Sequence, residues 1–147
     1  MVILNARHGS LEYLEAVALR RKILRLPLGL DFTEEELANE DRETHLVGLI
    51  DGKVIACLVM VPLTDGVIKM RQVAVDDGLR GMGLGAKLVQ ASERWAVESG
   101  FSRIELNARD TAVSFYDRLG YRPAGDGFVE VGIPHQKMVK DLVGNRL

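Results

Sequence analysis

The chain has 147 residues, 47% hydrophobic and 27% charged, the size and make-up of one folded domain and not of a disordered tract. A formal net charge of -2 excludes the broad basic field that draws proteins onto nucleic acid or anionic membranes, so any anion site has to be local. The lone Cys57 has no partner for an internal disulfide, the opening Met1-Val2-Ile3-Leu4 is too short for a signal peptide, and the longest apolar run, 54–63, is about half of the ~20 residues a membrane span needs. One cytoplasmic domain over residues 1–147 is expected.

In chain order, residues 2–6 read as a short strand. Ser10 then precedes a helix whose Leu11, Leu14, Val17, Ala18 and Leu24 keep helical spacing. Leu26-Pro27-Leu28-Gly29 breaks it, and Thr33-Glu34-Glu35-Glu36 carries a capping-box pattern for a short acidic helix ending before Asn39. Strands at 45–50, 54–61 and 67–75 follow, rich in β-branched residues. The turns Asp51-Gly52-Lys53 and Thr64-Asp65-Gly66 join them as three consecutive antiparallel strands. After Val75 the period changes, since Leu84, Leu88, Val89, Ala91, Trp95 and Ala96 mark a long helix stopped by Gly100. Next come a strand at 103–107 and a second helix, capped by Asp110 or Thr111 and ended by Gly120, with Ala112, Phe115, Tyr116 and Leu119 on one side. Residues 121–124 and 128–133 close the order as a hairpin. This order predicts an α/β domain, a mixed sheet with helices on both faces.

The turn Arg80-Gly81-Met82-Gly83-Leu84-Gly85 opens the long helix. Its glycines let the backbone approach a ligand closely. No Ser, Thr, Asp or Asn within it caps the helix, so the first amides are free for an outside acceptor, and the helix dipole favours an anion there. Arg80 adds a positive charge. These features predict a pyrophosphate site over Arg80, Gly81, Met82, Gly83, Leu84, Gly85 and Ala86, against the plainer reading of a tight packing turn. A Walker loop is excluded, because Ala86-Lys87-Leu88 stands where Lys and Ser or Thr are required. Gly81-Met82-Gly83-Leu84-Gly85-Ala86 does satisfy the dinucleotide pattern G-x-G-x-x-A, with Glu105 on the next strand. That fold continues through parallel βαβ units, however, whereas this turn follows an antiparallel meander.

Gln72-Val73-Ala74-Val75 followed by this turn resembles the acetyl-coenzyme A binding motif of the GCN5-related N-acetyltransferases (GNAT). The motif's core, Arg or Gln, two residues, Gly, one residue, Gly or Ala, falls on Arg80, Gly83 and Gly85. A second stretch, Asn107-Ala108-Arg109, Ala112 and Phe115-Tyr116-Asp117-Arg118-Leu119-Gly120-Tyr121, is similar to the strand and helix that flank the cofactor thiol in that family. Gly132-Ile133-Pro134-His135-Gln136-Lys137-Met138 looks like the final strand of small bacterial members. The resemblance covers the element order and most of the chain from Leu46 onward. It implies a mostly antiparallel twisted sheet with one splayed parallel strand pair and acetyl-coenzyme A as co-substrate. It also implies backbone contacts to the pantetheine arm from Val73, Ala74 and Val75, a place beside the cofactor for Asn107 and Phe115, and Tyr116 as the acid for the leaving thiolate. Without the motif, Tyr116 reads as a core aromatic beside Phe115 and Leu119.

Many members of that family place a Glu on the cofactor strand. Here the strand offers Lys69, Arg71 and Gln72, so the general base is unassigned, with His135, Glu130 and His45 as remaining candidates. The histidines lack metal-ligand spacing, and no catalytic metal is expected. Cys57 reads as core and Glu34-Glu35-Glu36 as a solvated face. The expected function is acetyl transfer from acetyl-coenzyme A to a primary amine of a small molecule, peptide or protein; a non-catalytic acyl-coenzyme A binding or sensing module is the alternative. Neither nucleic acid nor a membrane is an expected partner, and base rates of symmetric assembly leave a homodimer open.

Overall fold

The computed structural model describes residues 1–143. The chain divides into two compact units, Met1–Val61 with Gln72–Ser92, and Pro62–Arg71 with the residues from Glu93 onward.

In the first unit, β1 (Val2–Ala6) pairs antiparallel with β2 (Thr44–Ile50), Val2 opposite Leu49 and Ala6 opposite His45. β2 pairs antiparallel with β3 (Lys53–Pro62). Asp51 and Gly52 between them have φ of 51° and 76°, the left-handed pair that matches the twist of a tight hairpin. Every residue of β3 from Val54 to Met60 is buried, so an unbroken apolar run, without alternation, suits a strand covered on both faces. Cys57 is among them, and its burial pushes the thiol up to about 12, which makes it the inert core residue the sequence predicts.

Helix α1 (Leu11–Arg20) starts where Ser10 Oγ accepts the Tyr13 N–H at 3.2 Å. Its inward face is not the one the leucines suggest. Leu11 and Leu14 are 68% and 56% exposed, while Tyr13, Ala16, Val17, Leu19 and Arg20 are buried. Positions 13, 16, 17 and 20 form one helical stripe, and two polar side chains complete it. The chain then passes through a π-turn, Arg21–Arg25, and a 3-10 turn ended by Gly29 at φ 70°. α2 (Glu34–Ala38) has the full reciprocal capping box, Glu36 N–H to Thr33 Oγ1 at 3.1 Å and Thr33 N–H to Glu36 Oε1 at 3.3 Å. Glu34, Glu35 and Glu36 are exposed.

β4 (Val67–Val75) runs from the second unit into the first at Gln72, and α3 (Leu84–Glu98) begins in the first and ends in the second. In the second unit, Val67, Ile68 and Lys69 of β4 pair in parallel with Arg103, Ile104 and Glu105 of β5 (Arg103–Arg109). β5 in turn pairs antiparallel with β8 (Ile133–Asp141), from Arg103 opposite Asp141 to Arg109 opposite His135. Ile104, Leu106 and Ala108 are buried and the residues between them are not, the alternation of a strand with one covered face. Among the described residues, eight strands form a mixed sheet with β4 and β5 as its parallel pair.

Two expectations near the C-terminus are corrected. Residues 121–124 and 128–133 do not pair with each other. β6 (Arg122–Pro123) and β7 (Phe128–Glu130) both pair with β8, whose nine residues offer room for each along one edge. The hairpin turn is instead Val131-Gly132, between β7 and β8. Nor does Asp110 or Thr111 cap the α-helix by a side chain. Asp110 Oδ1 accepts the Thr111 N–H at 2.9 Å and starts a 3-10 turn, Asp110–Ala112, that leads into α4 (Val113–Arg118). Gly120, at φ 93°, follows its last turn as expected.

Candidate acyl-transfer site

The first unit carries the glycine turn. β4 ends at Val75, and Asp76 fixes the exit: its N–H donates to the Ile55 carbonyl at 2.8 Å and its Oδ1 accepts from Gly78 N–H at 3.1 Å. A 3-10 turn, Asp77–Leu79, leads to Gly81 and Gly83 at φ 84° and 73°. A Cβ at either position would meet nothing within 4 Å, so the left-handed backbone, not crowding, requires glycine there. The helix bond from Lys87 N–H to the Gly83 carbonyl is 3.1 Å long. Ahead of it, the amides of Gly81, Met82, Gly83, Leu84, Gly85 and Ala86 have no acceptor among the described residues. They form a row of free donors at the positive end of a 15-residue helix, where the helix dipole favours negative charge. Arg80 pairs with Asp77 at 3.2 Å, both about 60% exposed, a surface pair of small energy. The dinucleotide reading falls, because the turn follows a meander and β4–β5 is the one parallel pair among the described strands.

Just upstream, Ala74 is 2% exposed and packs in a core cluster with Ala6, Ala16, Leu19, Val47, Val54 and Cys57. Its side chain is therefore committed to the core. Val73 and Val75 are half-buried. Gln72 departs from strand geometry, with φ 57°, which costs a residue bearing a Cβ about 1–2 kcal/mol.

The second unit carries Asn107, Phe115 and Tyr116. Asn107 lies opposite Lys137 in the β5–β8 register, on the partly open face of β5. Phe115 packs edge-on against Tyr116 with ring centroids 4.9 Å apart. The chain's three tyrosines differ in one respect that matters. Tyr13 donates to Glu40 at 2.8 Å and Tyr121 to Glu93 at 2.9 Å, whereas the Tyr116 hydroxyl has no partner among the described residues. Tyr116 is 7% exposed, and burial pushes its phenol up to about 12. The Tyr116 oxygen is not among the fully buried unpartnered atoms, so the ring is enclosed while the hydroxyl itself keeps some access from outside. Lys140 steadies its surroundings by bonding Glu93 at 3.0 Å and the Leu119 carbonyl at 2.7 Å, beside the Tyr121 ring.

Sequence reasoning missed the buried ionic cluster of the first unit. Arg20, 1% exposed, donates to Glu40 through two nitrogens at 2.9 and 2.5 Å, and Tyr13 donates to the same carboxylate. Burial pushes the Glu40 carboxyl up, but Arg20 and the Tyr13 hydroxyl outweigh it and hold the group below its usual range. His45, proposed as a base, lies beside this cluster. It is 2% exposed, donates from Nε2 to the Glu40 carbonyl at 2.9 Å and meets the Tyr13 ring edge-on at 4.9 Å. Burial lowers its pKa, and one ring nitrogen is spent on structure. His135 donates from Nδ1 to the Ile133 carbonyl at 2.7 Å and stacks on Phe128, and Glu130 is exposed on β7.

Comparison with known proteins shows the family. Residues 12–121 match the profile of the Acetyltransferase (GNAT) family. The chain belongs to that family, whose members use acetyl-coenzyme A, and the match reaches upstream of Leu46 through α1 and α2. A relative is the uncharacterised N-acetyltransferase YjcF of Bacillus subtilis (strain 168), 33% identical over 109 residues, 74% of this chain and 78% of that one. The crystal structure of a candidate N-acetyltransferase from Lactobacillus plantarum superposes with a TM-score of 0.86 at 28% identity, covering 97% of this chain and 98% of that one. An aminoglycoside 6′-N-acetyltransferase complexed with coenzyme A shares the fold over all of both chains, with a TM-score of 0.81 at 14% identity. Among the described residues, no helix is long and apolar enough to cross a membrane.

Proposed function

We propose that the protein transfers the acetyl group of acetyl-coenzyme A to a primary amine of a small molecule or a protein. The observation that carries this reading is the row of acceptor-free amides from Gly81 to Ala86 at the start of α3, on the motif through which the chain resembles its family. These amides and Arg80 receive the pyrophosphate. The backbone of Val73, Ala74 and Val75 bonds the pantetheine arm, and Asn107 and Phe115 lie beside it. The family match runs through both units, which supports reading them as one transferase domain. The lone Cys57 supports a reducing, cytoplasmic setting.

In the reaction, the amine nitrogen forms a bond to the thioester carbon, the carbon–sulfur bond breaks, and the electron pair leaves on sulfur. Tyr116 meets that thiolate. A phenol at about 12 is a weaker acid than a thiol at ~8.5, so Tyr116 stabilises the leaving group as a hydrogen-bond donor more than it surrenders its proton. Below about 12 the phenol stays protonated, and it should add no alkaline limb to the pH profile in the working range. A hydrogen bond to a charged group contributes about 1.5–3 kcal/mol, so Tyr116→Phe is expected to lower kcat about ten- to hundredfold with the affinity for acetyl-coenzyme A unchanged. Steady-state kinetics beside calorimetry separates the two, and an unaltered kcat would return Tyr116 to the core.

Amine-dependent release of free thiol, over a panel of small amines and peptides, tests the function itself. Binding of acetyl-coenzyme A with no release across the panel would favour a non-catalytic acyl-coenzyme A sensor. The presence of Lys69, Arg71 and Gln72, with no carboxylate, on the strand where the family resemblance implies a Glu gives that second reading its support.

A further inference from the structure

Among the described residues that carry a Cβ, Asp51, Asp65, Gln72 and Val131 have positive φ. Asp51, Asp65 and Val131 each sit in a turn and are followed by a glycine. Gln72 lies inside β4 and is followed by Val73. The same residue bears a second cost, because its side-chain Oε1 is buried without a hydrogen-bond partner. Backbone strain and an unsatisfied buried oxygen concentrate where a site has been shaped for something that arrives later. Gln72 directly precedes Val73, Ala74 and Val75, in the same compact unit as the glycine turn.

A carboxamide oxygen is only an acceptor, so its missing partner must be an N–H or O–H donor. The acetyl group and its thioester have no such donor; acetyl-coenzyme A carries donors only in its pantetheine arm, which the proposed function gives to the backbone of Val73, Ala74 and Val75, and the incoming amine supplies one at the reacting carbon. We propose that the Gln72 carboxamide oxygen positions the acceptor amine for attack by taking one of its N–H bonds, a reading that rests on the acetyl transfer proposed above. As the nitrogen forms its bond to the thioester carbon it becomes positive, and the N–H held by Gln72 becomes a stronger donor. The interaction is thus tighter in the transition state than with the free amine, which places its effect in kcat as well as in KM. Gln72 itself takes up no proton. The carbon–sulfur electron pair leaves on the thiolate, and the surplus proton of the new ammonium passes to water.

The test compares Gln72→Met, Gln72→Glu and Gln72→Gly with the wild-type protein, each checked for folding by thermal unfolding. Gln72→Met keeps the length and loses the acceptor; kcat/KM for the amine should fall at least about tenfold, as for one lost hydrogen bond, with the Kd for acetyl-coenzyme A unchanged. Gln72→Glu keeps an acceptor oxygen and should recover most of that loss, while adding an acid limb to the pH profile that the wild type lacks. Gln72→Gly relieves the backbone and should raise the unfolding temperature while losing the same activity as Gln72→Met, a split that a merely structural role would not give. Unchanged amine kinetics in folded Gln72→Met would overturn the proposal, as would a loss confined to acetyl-coenzyme A binding. If the wild-type protein binds acetyl-coenzyme A and acetylates no amine, it is the transferase reading that fails, and the positioning role falls with it.

Discussion

Glu40→Ala is expected to lower the unfolding free energy by about 3–5 kcal/mol, the usual cost of stranding one member of a buried ion pair. The Arg20 and Glu40 side chains are 1% and 8% exposed, so water cannot replace the lost carboxylate. The variant leaves the guanidinium without its anion and takes an acceptor from the Tyr13 hydroxyl, which keeps only the Leu37 carbonyl at 3.3 Å. Arg20→Met combined with Glu40→Leu removes both charges at similar volume and should recover most of the loss. The pH dependence has a definite sign. Because Glu40 is held below its ordinary 4.5 when folded, its contribution is fully present above that value and fades as the pH falls through the lowered one. Urea unfolding of both variants from neutral pH into the acid range measures all of this; a cost under about 1 kcal/mol for Glu40→Ala would mean that solvent reaches Arg20 after all.

Gly83→Val should weaken coenzyme A binding at least about a hundredfold. Its φ of 73° is open to glycine, and no atom lies within 4 Å of an added Cβ, so the effect has to come through the backbone. A β-branched residue disfavours that conformation by about 1–2 kcal/mol, which is enough to turn the peptides on either side. Losing two charge-assisted bonds to the pyrophosphate, at about 1.5–3 kcal/mol each, gives the hundredfold or more. Asn enters the left-handed region far more readily than Val, so Gly83→Asn should retain most of the affinity. Arg80→Ala should cost less than Gly83→Val, since Arg80 is exposed and shared with Asp77. Calorimetry with coenzyme A reads all three, and undiminished affinity in folded Gly83→Val would remove the turn from the site.

What the sequence made legible was local. The Thr33 and Glu36 capping box, the Asp51-Gly52 turn and the glycine turn each depend on residues a few positions apart, and each forms as read. The inward face of α1 did not, because Tyr13 and Arg20 are buried only through Glu40, which lies 27 and 20 residues away. No periodicity reports a partner that distant. β8 was legible only through the family resemblance of residues 132–138, for a different reason. Pro134, His135, Gln136 and Lys137 interrupt its apolar pattern, yet the strand forms because β5 takes one edge while β6 and β7 share the other. The strained conformation of Gln72 was equally invisible, since glutamine carries no signal for a positive φ. At the site, the free amides could be anticipated from the absence of a capping residue, and Tyr116 from its motif. That its hydroxyl, unlike those of Tyr13 and Tyr121, has no partner among the described residues needed the fold.

The most direct measurement follows the acetyl group itself. With acetyl-coenzyme A labelled in the acetyl moiety and a panel of amines and peptides, mass spectrometry of each acceptor should find one labelled acetyl on nitrogen for every thiol freed. Label that stays on coenzyme A across the panel, while the protein binds the cofactor, would contradict the assignment of acetyl transfer to this chain.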